Sequence, residues 1–171
     1  MTTDSVIPHI AGITAGSPLA AILEDRQTVL DLTQQSHDAL LSPADPGGLS
    51  PALRAALATR VATINADHAL VTHYRALLET TEATPDVRAI ADPAHSPTAS
   101  PDADPTADPR IAAIVGHADL LTTAPQDSTK ATIEALQHAG VHDSDIVRLT
   151  QLIGFVNYQV RFATGLRLIA E

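Results

Sequence analysis

The sequence predicts an all-α protein. Hydrophobic residues make up 44% of the 171 residues but aromatic residues only 2%, so the core has to be built from Ala, Leu, Ile and Val, which favours close-packed helices over an aromatic-rich sandwich. Apolar residues recur every three or four positions, and no segment shows the alternation of a β-strand. A chain of this length fits one domain with a substantial core.

Three helices are predicted in the first half. Ser17-Pro18 combines an N-cap with a proline at the first helical position and starts a short helix. A second helix follows at apolar helical spacing and ends in the turn-rich residues 42–48. Ser50-Pro51 repeats the cap-plus-proline start and predicts one long helix that continues to about Thr80. Its apolar face consists of Leu53, Leu57, Val61, Ile64, Val71 and Leu78.

The segment from residue 84 to residue 110 predicts a mobile linker within a single domain of residues 1–171. Six prolines are interleaved there with Asp, Ala, Ser and Thr, and large apolar side chains are almost absent. Such a composition does not bury enough apolar surface to order the chain.

Three more helices are predicted after this linker. The first covers residues 111–121, and the second covers residues 128–138 and ends at Gly140, a typical left-handed C-terminal residue. The last begins near Asp143, where acidic groups suit the helix dipole, and carries an apolar stripe as far as Leu166.

The two halves also resemble each other. Residues 57–65 share Leu, a β-branched residue and Asn with residues 149–157, each 92 positions later, and residues 37–41 echo residues 117–121 with His at the first position and Leu-Leu at the end. A pseudo-repeat of helical units explains this pattern. Periodicity alone, which gives any two amphipathic helices similar apolar positions, is the alternative.

Composition excludes several classes of function. The formal net charge is −10 and Lys130 is the only lysine, so nucleic acid and anionic membranes are not expected partners. Without cysteine there is no disulfide, thiolate nucleophile or iron–sulfur centre. We expect a cytoplasmic protein, because no signal peptide or membrane-length apolar run is present. No cofactor is expected because phosphate-binding motifs are missing, and no metal because no His-x-x-x-His or Glu-x-x-His pair places two ligands on one helical face.

Residues 49–57 and 67–76 resemble the active-site region of the carboxymuconolactone decarboxylase and alkylhydroperoxidase D superfamily, with the second segment similar to the site helix. Residues 140–161 are similar to the second-half helix of its peroxidase-related members. The resemblance implies an all-helical, alkylhydroperoxidase D-like (AhpD-like) bundle that forms a homo-oligomer, with sites near subunit interfaces.

The resemblance separates the two branches of that superfamily by their chemistry. The two peroxidase cysteines would fall at Ala66 and Ala69, or one residue later, so a thiol peroxidase is excluded. The decarboxylase branch needs no cysteine. The residues that match its site helix in order are His68, Leu70, His73, Arg75 and Ala76.

The residues expected to act are two histidines and four ligand-binding side chains. His73 and His68 are the catalytic candidates, because an imidazole holds or delivers a proton near neutral pH. They lie roughly 140° apart around a helix, so one is expected to be structural, and His73 shares its face with small residues. The candidates for binding a small carboxylated or lactone-like molecule are Arg75, Asn157, Tyr158 and Arg161.

The alternative is a catalytically silent structural or regulatory subunit that forms a homo-oligomer or pairs with a cysteine-containing relative. The family's upstream acidic residue is missing, since that region reads Leu-Arg-Ala-Ala at residues 53–56. A simple observation separates the two hypotheses. An enzyme should present His73 with Arg75 or Arg161 in a shared concavity, whereas a scaffold should bury them in satisfied contacts.

Overall fold

A computed structural model describes residues 5–95 and 108–170, and within these ranges it contains helices and no β-strand. The prediction of an all-α fold is confirmed. The nine α-helices of these ranges are α1 (Val6–Ile10), α2 (Pro18–Glu24), α3 (Gln27–Leu41), α4 (Pro51–Ile64), α5 (His68–Glu79), α6 (Pro85–Ala89), α7 (Pro109–Thr123), α8 (Lys130–His138) and α9 (Asp143–Ala170). None of these helices combines the length and apolar character that a membrane crossing requires.

The core surrounds α4, which is buried on every side. All ten residues from Leu53 to Ala62 are buried, and α4 contacts α3, α5, α6, α7 and α9. Small side chains dominate this stretch of the helix, so five neighbouring helices can approach it closely. The long helix α9 covers α4 and also packs on α1, α3, α7 and α8.

The two cap-plus-proline starts are confirmed. The Ser17 hydroxyl accepts a hydrogen bond from the backbone N–H of Ala20, and the Ser50 hydroxyl accepts one from Leu53. Each cap satisfies a donor that the first turn of a helix leaves unpaired. Gly140 has a φ of +85°, which confirms the left-handed residue predicted after α8.

The long helix predicted from Ser50 to about Thr80 is wrong, because the chain turns at residues 65–67. α4 ends at Ile64, Ala66 has a φ of +55°, and α5 begins at His68 with Asp67 as its N-cap. A non-glycine residue in this conformation costs roughly 1–2 kcal/mol. The Arg167 guanidinium offsets that cost by pairing with the buried Asp67 carboxylate at 3.0 Å.

Residues 85–95 of the predicted mobile linker contain a helix and residues buried in the core, while the mobility of the segment stays a prediction. Pro85–Ala89 form α6, and the Ile90 side chain is only 2% exposed in the core. The composition of this stretch is polar, yet Ile90 and Ala91 are buried in the core, Val87 packs against it, and the backbone carbonyls of residues 90–95 also bind the stretch to the rest of the fold. Residues 96–107 of the predicted linker lie outside the described residues.

Arg60 holds this segment in place from inside the core. Its side chain is 1% exposed, and it donates hydrogen bonds to the carbonyl oxygens of Ile90, Asp92 and His95 at 2.8–3.1 Å. The same guanidinium forms a two-pronged pair with the Asp119 carboxylate on α7 at 2.6 and 2.7 Å. A single buried cation therefore joins α4, α7 and the segment after α6.

The helices predicted in the second half are present as α7, α8 and α9, with ends shifted by one or two residues. Where the pseudo-repeat aligns the halves, the Asn65 amide donates to the Asn157 side-chain oxygen at 3.1 Å. The halves differ there, because α4 ends before Asn65 whereas α9 continues through Asn157. The pseudo-repeat and the AhpD-like arrangement of the bundle stay predictions.

Candidate functional site

Two histidines from different helices meet at the centre of the candidate site. His37 on α3 and His73 on α5 bring their Nε2 atoms to 3.0 Å, and the Nδ1 of His37 lies 3.0 Å from a carboxylate oxygen of Asp38. His37 is 8% exposed and His73 is half-buried. The two rings and the carboxylate therefore form a continuous hydrogen-bonded chain from solvent-exposed Asp38 to His73.

The side chain of Tyr74 packs against both imidazole rings. It is fully buried, stacks on His37 with the ring centroids 6.2 Å apart, and meets the His73 ring edge-on at 5.0 Å. Its hydroxyl donates to the side-chain carbonyl of Gln159 on α9. Burial raises the pKa of the Tyr74 hydroxyl far above its ordinary value, so Tyr74 acts as a fixed neutral support.

The environment keeps the His73 ring neutral. Burial, the positive charge of His37 and the positive charge of His9 lower the pKa of His73 from 6.5 to about 4. Two imidazolium rings in contact would repel each other, and desolvation penalises the charged form of either. At neutral pH His73 therefore has one N–H donor and one free lone pair on its ring.

The hydrogen bonds to Asp38 fix the orientation of the His37 ring. The Asp38 carboxylate accepts from the Nδ1–H of His37, and Gln34 donates to the same carboxylate at 2.8 Å. This fixes the His37 ring so that its Nε2 faces His73. The Nδ1 of His73 has no hydrogen-bond partner among the described residues, which leaves it as the ring nitrogen that an added molecule can reach.

His68 and Arg75 do not join His73. Both are exposed, and the geometry of α5 points His68 away from His73, as the spacing of the sequence predicts. His68 is the first residue of the helix, and its carbonyl accepts from the Thr72 hydroxyl. Glu79, which follows Arg75 by one helical turn, pairs instead with Arg88.

Tyr158 and Arg161 lie together in a shallow apolar groove between α3 and α9. The groove has a volume of about 650 Å³ and is lined by Val29, Gly154 and Phe162 as well. The Tyr158 hydroxyl lies 3.1 Å from the Thr33 hydroxyl of α3. Asn157 is buried behind the groove, where its carbonyl accepts from the Arg161 guanidinium at 2.8 Å.

The groove and the histidine pair lie at different positions along the axis of α3. Val29 lines the groove and His37 lies eight residues further along the same helix, which corresponds to roughly 12 Å. Neither His73 nor Arg75 lines the groove. The shared concavity expected for an enzyme is therefore not formed by His73 and Arg161 within one chain in the part of the protein that the structure describes.

Sequence reasoning missed the two residues that complete the site. The sequence distinguishes His37 only through the echo between residues 37–41 and 117–121, and it does not single out Asp38. The available signal was the adjacency of His37 and Asp38 on a predicted helix. Across residues 5–95 and 108–170, no group of three or more His, Cys, Asp or Glu side chains is arranged to hold a metal ion.

No protein-family model matches this sequence, and no curated protein matches it. The resemblance of residues 49–78 to the carboxymuconolactone decarboxylase superfamily therefore stays an expectation.

Proposed function

We propose that this protein is a carboxymuconolactone decarboxylase-like protein that binds a small carboxylated or lactone-like molecule beside His73 and transfers a proton to or from it. One observation carries the proposal: the 3.0 Å contact between the His37 and His73 rings, backed by Asp38. Structural histidines commonly bond to one backbone carbonyl. A half-buried imidazole with a second imidazole and a carboxylate behind it is arranged for proton transfer.

The chain of groups suits the loss of carbon dioxide from a carboxylated lactone. When the carbon–carbon bond breaks, its electron pair passes into the lactone as an enolate, which then takes a proton on carbon. His73 gives that proton from Nδ1 while its Nε2 takes one from the Nε2–H of His37. His73 stays neutral before and after the step, and the Asp38 carboxylate stabilises His37 while His37 carries two protons.

A lowered pKa at His73 fits this role. A neutral imidazole donates a hydrogen bond to an enolate oxygen without first having to lose a charge, a pattern known from other enzymes with depressed histidine pKa values. A bound carboxylate would meet the positive charges of His9 and His37 whenever these are protonated. Arg75 and Arg161 are exposed and share no concavity with His73 within the described residues of one chain, so in this proposal either of them clamps the ligand only from a second copy of the chain.

Ligand-dependent thermal shift tests the proposal. We expect one or more members of a panel of small carboxylates and lactones to raise the melting temperature of the wild type. The same compounds should not raise the melting temperature of His73→Gln. They should still raise that of His68→Gln, because His68 is exposed on another face of α5. The hit is then assayed for carbon dioxide release. If His73→Gln keeps the full shift, His73 does not contact the ligand and the proposed site is wrong.

The second candidate is the catalytically silent structural subunit, and Arg54 favours it. Arg54 lies in residues 53–56, the region where the family resemblance leads one to expect an acidic residue, and it is 2% exposed. Its guanidinium donates to the carbonyl oxygens of Leu49, Leu40 and Pro46 at 2.8–3.0 Å. The position therefore holds the turn between α3 and α4 together instead of taking part in chemistry.

Self-association accompanies either function in this proposal. Val29, Leu32 and Tyr158 are 45%, 56% and 40% exposed beside the groove, and apolar surface of this kind favours burial in an interface. The alanines of residues 62–76 do not add to that surface as one continuous face, because the turn at residues 65–67 interrupts the helix and Ala62 is buried within the chain. Sedimentation of the wild type against Tyr158→Asp measures the association.

A further inference from the structure

The two Nε2 atoms of the candidate site also have the arrangement of a pair of metal ligands. The Nε2 atoms of His37 and His73 lie 3.0 Å apart, and the centres of the two rings lie 5.1 Å apart. Tetrahedral coordination at about 2.0–2.1 Å places two imidazole nitrogens about 3.3 Å apart and the centres of their rings about 5.2 Å apart. The rings therefore already have the separation that a shared ion requires, and a small tilt of each ring brings both lone pairs onto one point.

Asp38 sets the position of the lone pair on His37. Its carboxylate accepts from the Nδ1–H of His37 at 3.0 Å and from the Gln34 amide at 2.8 Å. A neutral imidazole carries hydrogen on one nitrogen only, so this bond leaves the lone pair of His37 on Nε2, facing His73. Histidines that bind metal ions almost always donate their other N–H to a carboxylate, a backbone carbonyl or water. His37 and Asp38 reproduce that arrangement.

Both rings are held in position by helices and by packing. His37 lies on α3 and His73 on α5, and Tyr74 packs against both with ring centres 6.2 and 5.0 Å away. Ligands carried by helices are held more precisely than ligands carried by loops. His73 is half-buried, so the pair is not sealed from solvent. Because the two ligands come from different helices, the spacing of histidines along the sequence does not reveal them.

We propose that His37 and His73 bind one divalent transition-metal ion through their Nε2 atoms, with Zn²⁺ as the representative ion. Imidazole suits Zn²⁺, Cu²⁺ and Ni²⁺, whereas Mg²⁺ and Ca²⁺ prefer oxygen ligands. Within residues 5–95 and 108–170, no third His, Cys, Asp or Glu side chain completes a ligand set, so water molecules take the remaining positions. The formal net charge of −10 favours the approach of a cation.

The bound ion and the proposed proton transfer exclude each other. A metal ion binds only a nitrogen that carries no proton, so binding displaces the proton that the two Nε2 atoms share and releases it to solvent. The metal-bound pair therefore does not pass a proton from His37 to His73. Metal binding itself does not depend on the proposed function, and only this inhibitory consequence rests on it.

Calorimetric titration of the full chain, purified without a histidine tag and freed of metal ions with a chelator, tests the site. We expect one Zn²⁺ to bind saturably per chain and Mg²⁺ not to bind. His37→Gln and His73→Gln each remove one ligand and should lose roughly tenfold or more in affinity, and Asp38→Asn should lose about tenfold because an amide supports the ring less well than a carboxylate. Electron paramagnetic resonance with one equivalent of Cu²⁺ should show two coordinated nitrogens in the wild type and fewer in His37→Gln and His73→Gln.

His68→Gln is the matched control, because His68 lies on the same helix as His73 but is exposed on another face. It should bind Zn²⁺ as tightly as the wild type. The proposal is overturned if Zn²⁺ does not bind saturably, if either His37→Gln or His73→Gln retains the wild-type affinity, or if His68→Gln loses as much affinity as they do.

The titration contains no carboxylate or lactone, so its outcome is separate from the thermal-shift test of the proposed function. Zn²⁺ binding that depends on His37 and His73, together with no shift from the panel of carboxylates and lactones, would support the metal site and count against the proposed function. A ligand-dependent shift without Zn²⁺ binding would do the reverse.

Discussion

His37 and His117 begin the same short sequence pattern in the two halves of the chain, yet their surroundings are opposite. His37 has Asp38 on one ring nitrogen and His73 on the other, whereas His117 has no partner on either nitrogen among the described residues. Both rings are buried on helices that pack against the core. Burial therefore does not distinguish the two histidines. The difference lies in the side chains that neighbouring segments place beside each ring.

The turn at residues 65–67 accounts for the partner of His37. In the first half the chain turns after α4, and the new helix α5 carries His73 to the His37 ring. In the second half α9 continues without a break, and the position 92 residues after His73 is Gly165, which has no side chain to offer. The acidic residue of the second pattern, Asp119, is one position later than Asp38 and pairs with Arg60 instead. The three-residue turn thus decides which half acquires a histidine pair.

Replacing Asp67, the buried carboxylate of this turn, should have the largest effect on stability. Asp67→Ala deletes both the N-cap of α5 and the buried partner of Arg167. We expect a loss of about 2–4 kcal/mol in the free energy of unfolding, because a cap contributes about 1 kcal/mol and breaking a buried ion pair costs more. Urea denaturation followed by circular dichroism measures the change.

Asp108→Ala is the matched control for that experiment. Asp108 caps α7 by accepting from the Arg110 N–H at 2.9 Å, but it is exposed and has no buried cation to stabilise. Its loss should cost about 1 kcal/mol or less. If the two variants lose equal stability, the Asp67–Arg167 pair does not hold the turn. NMR should also show the His73 signals shifted in Asp67→Ala and the His117 signals unchanged.

Local signals in the sequence predicted most of the fold. Ser17-Pro18 and Ser50-Pro51 start helices where expected, because a cap and a proline act within one turn of chain. The turn after α4 was missed because the apolar spacing of Val61, Ile64 and Val71 continues across it. The Asn-Ala-Asp sequence there carried the opposing signal, since Asp67 is a favoured N-cap.

The candidate site was less predictable because its contacts are distant in sequence. His73 is the more enclosed of the two histidines on α5, and helical geometry alone separates it from His68, but its role as the site histidine stays a prediction. Its partner His37 lies 36 residues away on another helix, and one sequence does not report such a contact. The hydrogen bonds from Arg60 to backbone carbonyl groups of residues 90–95 are equally unpredictable from the sequence, because every residue type carries a carbonyl group.

Lowering the pH should reduce the free energy of unfolding through the protonation of His73. The pKa of His73 is lowered from 6.5 to about 4 in the folded state, so between these values the unfolded chain binds a proton that the folded chain does not. Stability attributable to His73 is therefore complete above pH 6.5 and is lost as the pH falls toward 4. The full shift corresponds to roughly 3 kcal/mol, which partial solvent exposure reduces to about 1–2 kcal/mol.

Comparison of the wild type with His73→Gln at pH 7, 5.5 and 4 isolates this contribution. Glutamine does not titrate, so the unfolding free energy of the variant should fall less between pH 6.5 and 4 than that of the wild type. Titrating groups far from His73 are common to both proteins and cancel in the difference, whereas His37, which contacts His73, does not. Parallel curves for the two proteins would mean that His73 ionises as easily in the fold as in the unfolded chain.

The smallest expected effect has opposite signs at the two histidines. His117→Leu should raise the free energy of unfolding by about 1 kcal/mol, because it removes a buried ring whose donor and acceptor are unpaired and keeps the apolar contacts with α8. His37→Leu should lower it by a similar amount, because it leaves the His73 Nε2 without its partner. Thermal unfolding at pH 7 measures both. A loss of stability in His117→Leu would show that the His117 ring is already satisfied in the protein, and the contrast between the two halves would then be one of partner identity and not of partner number.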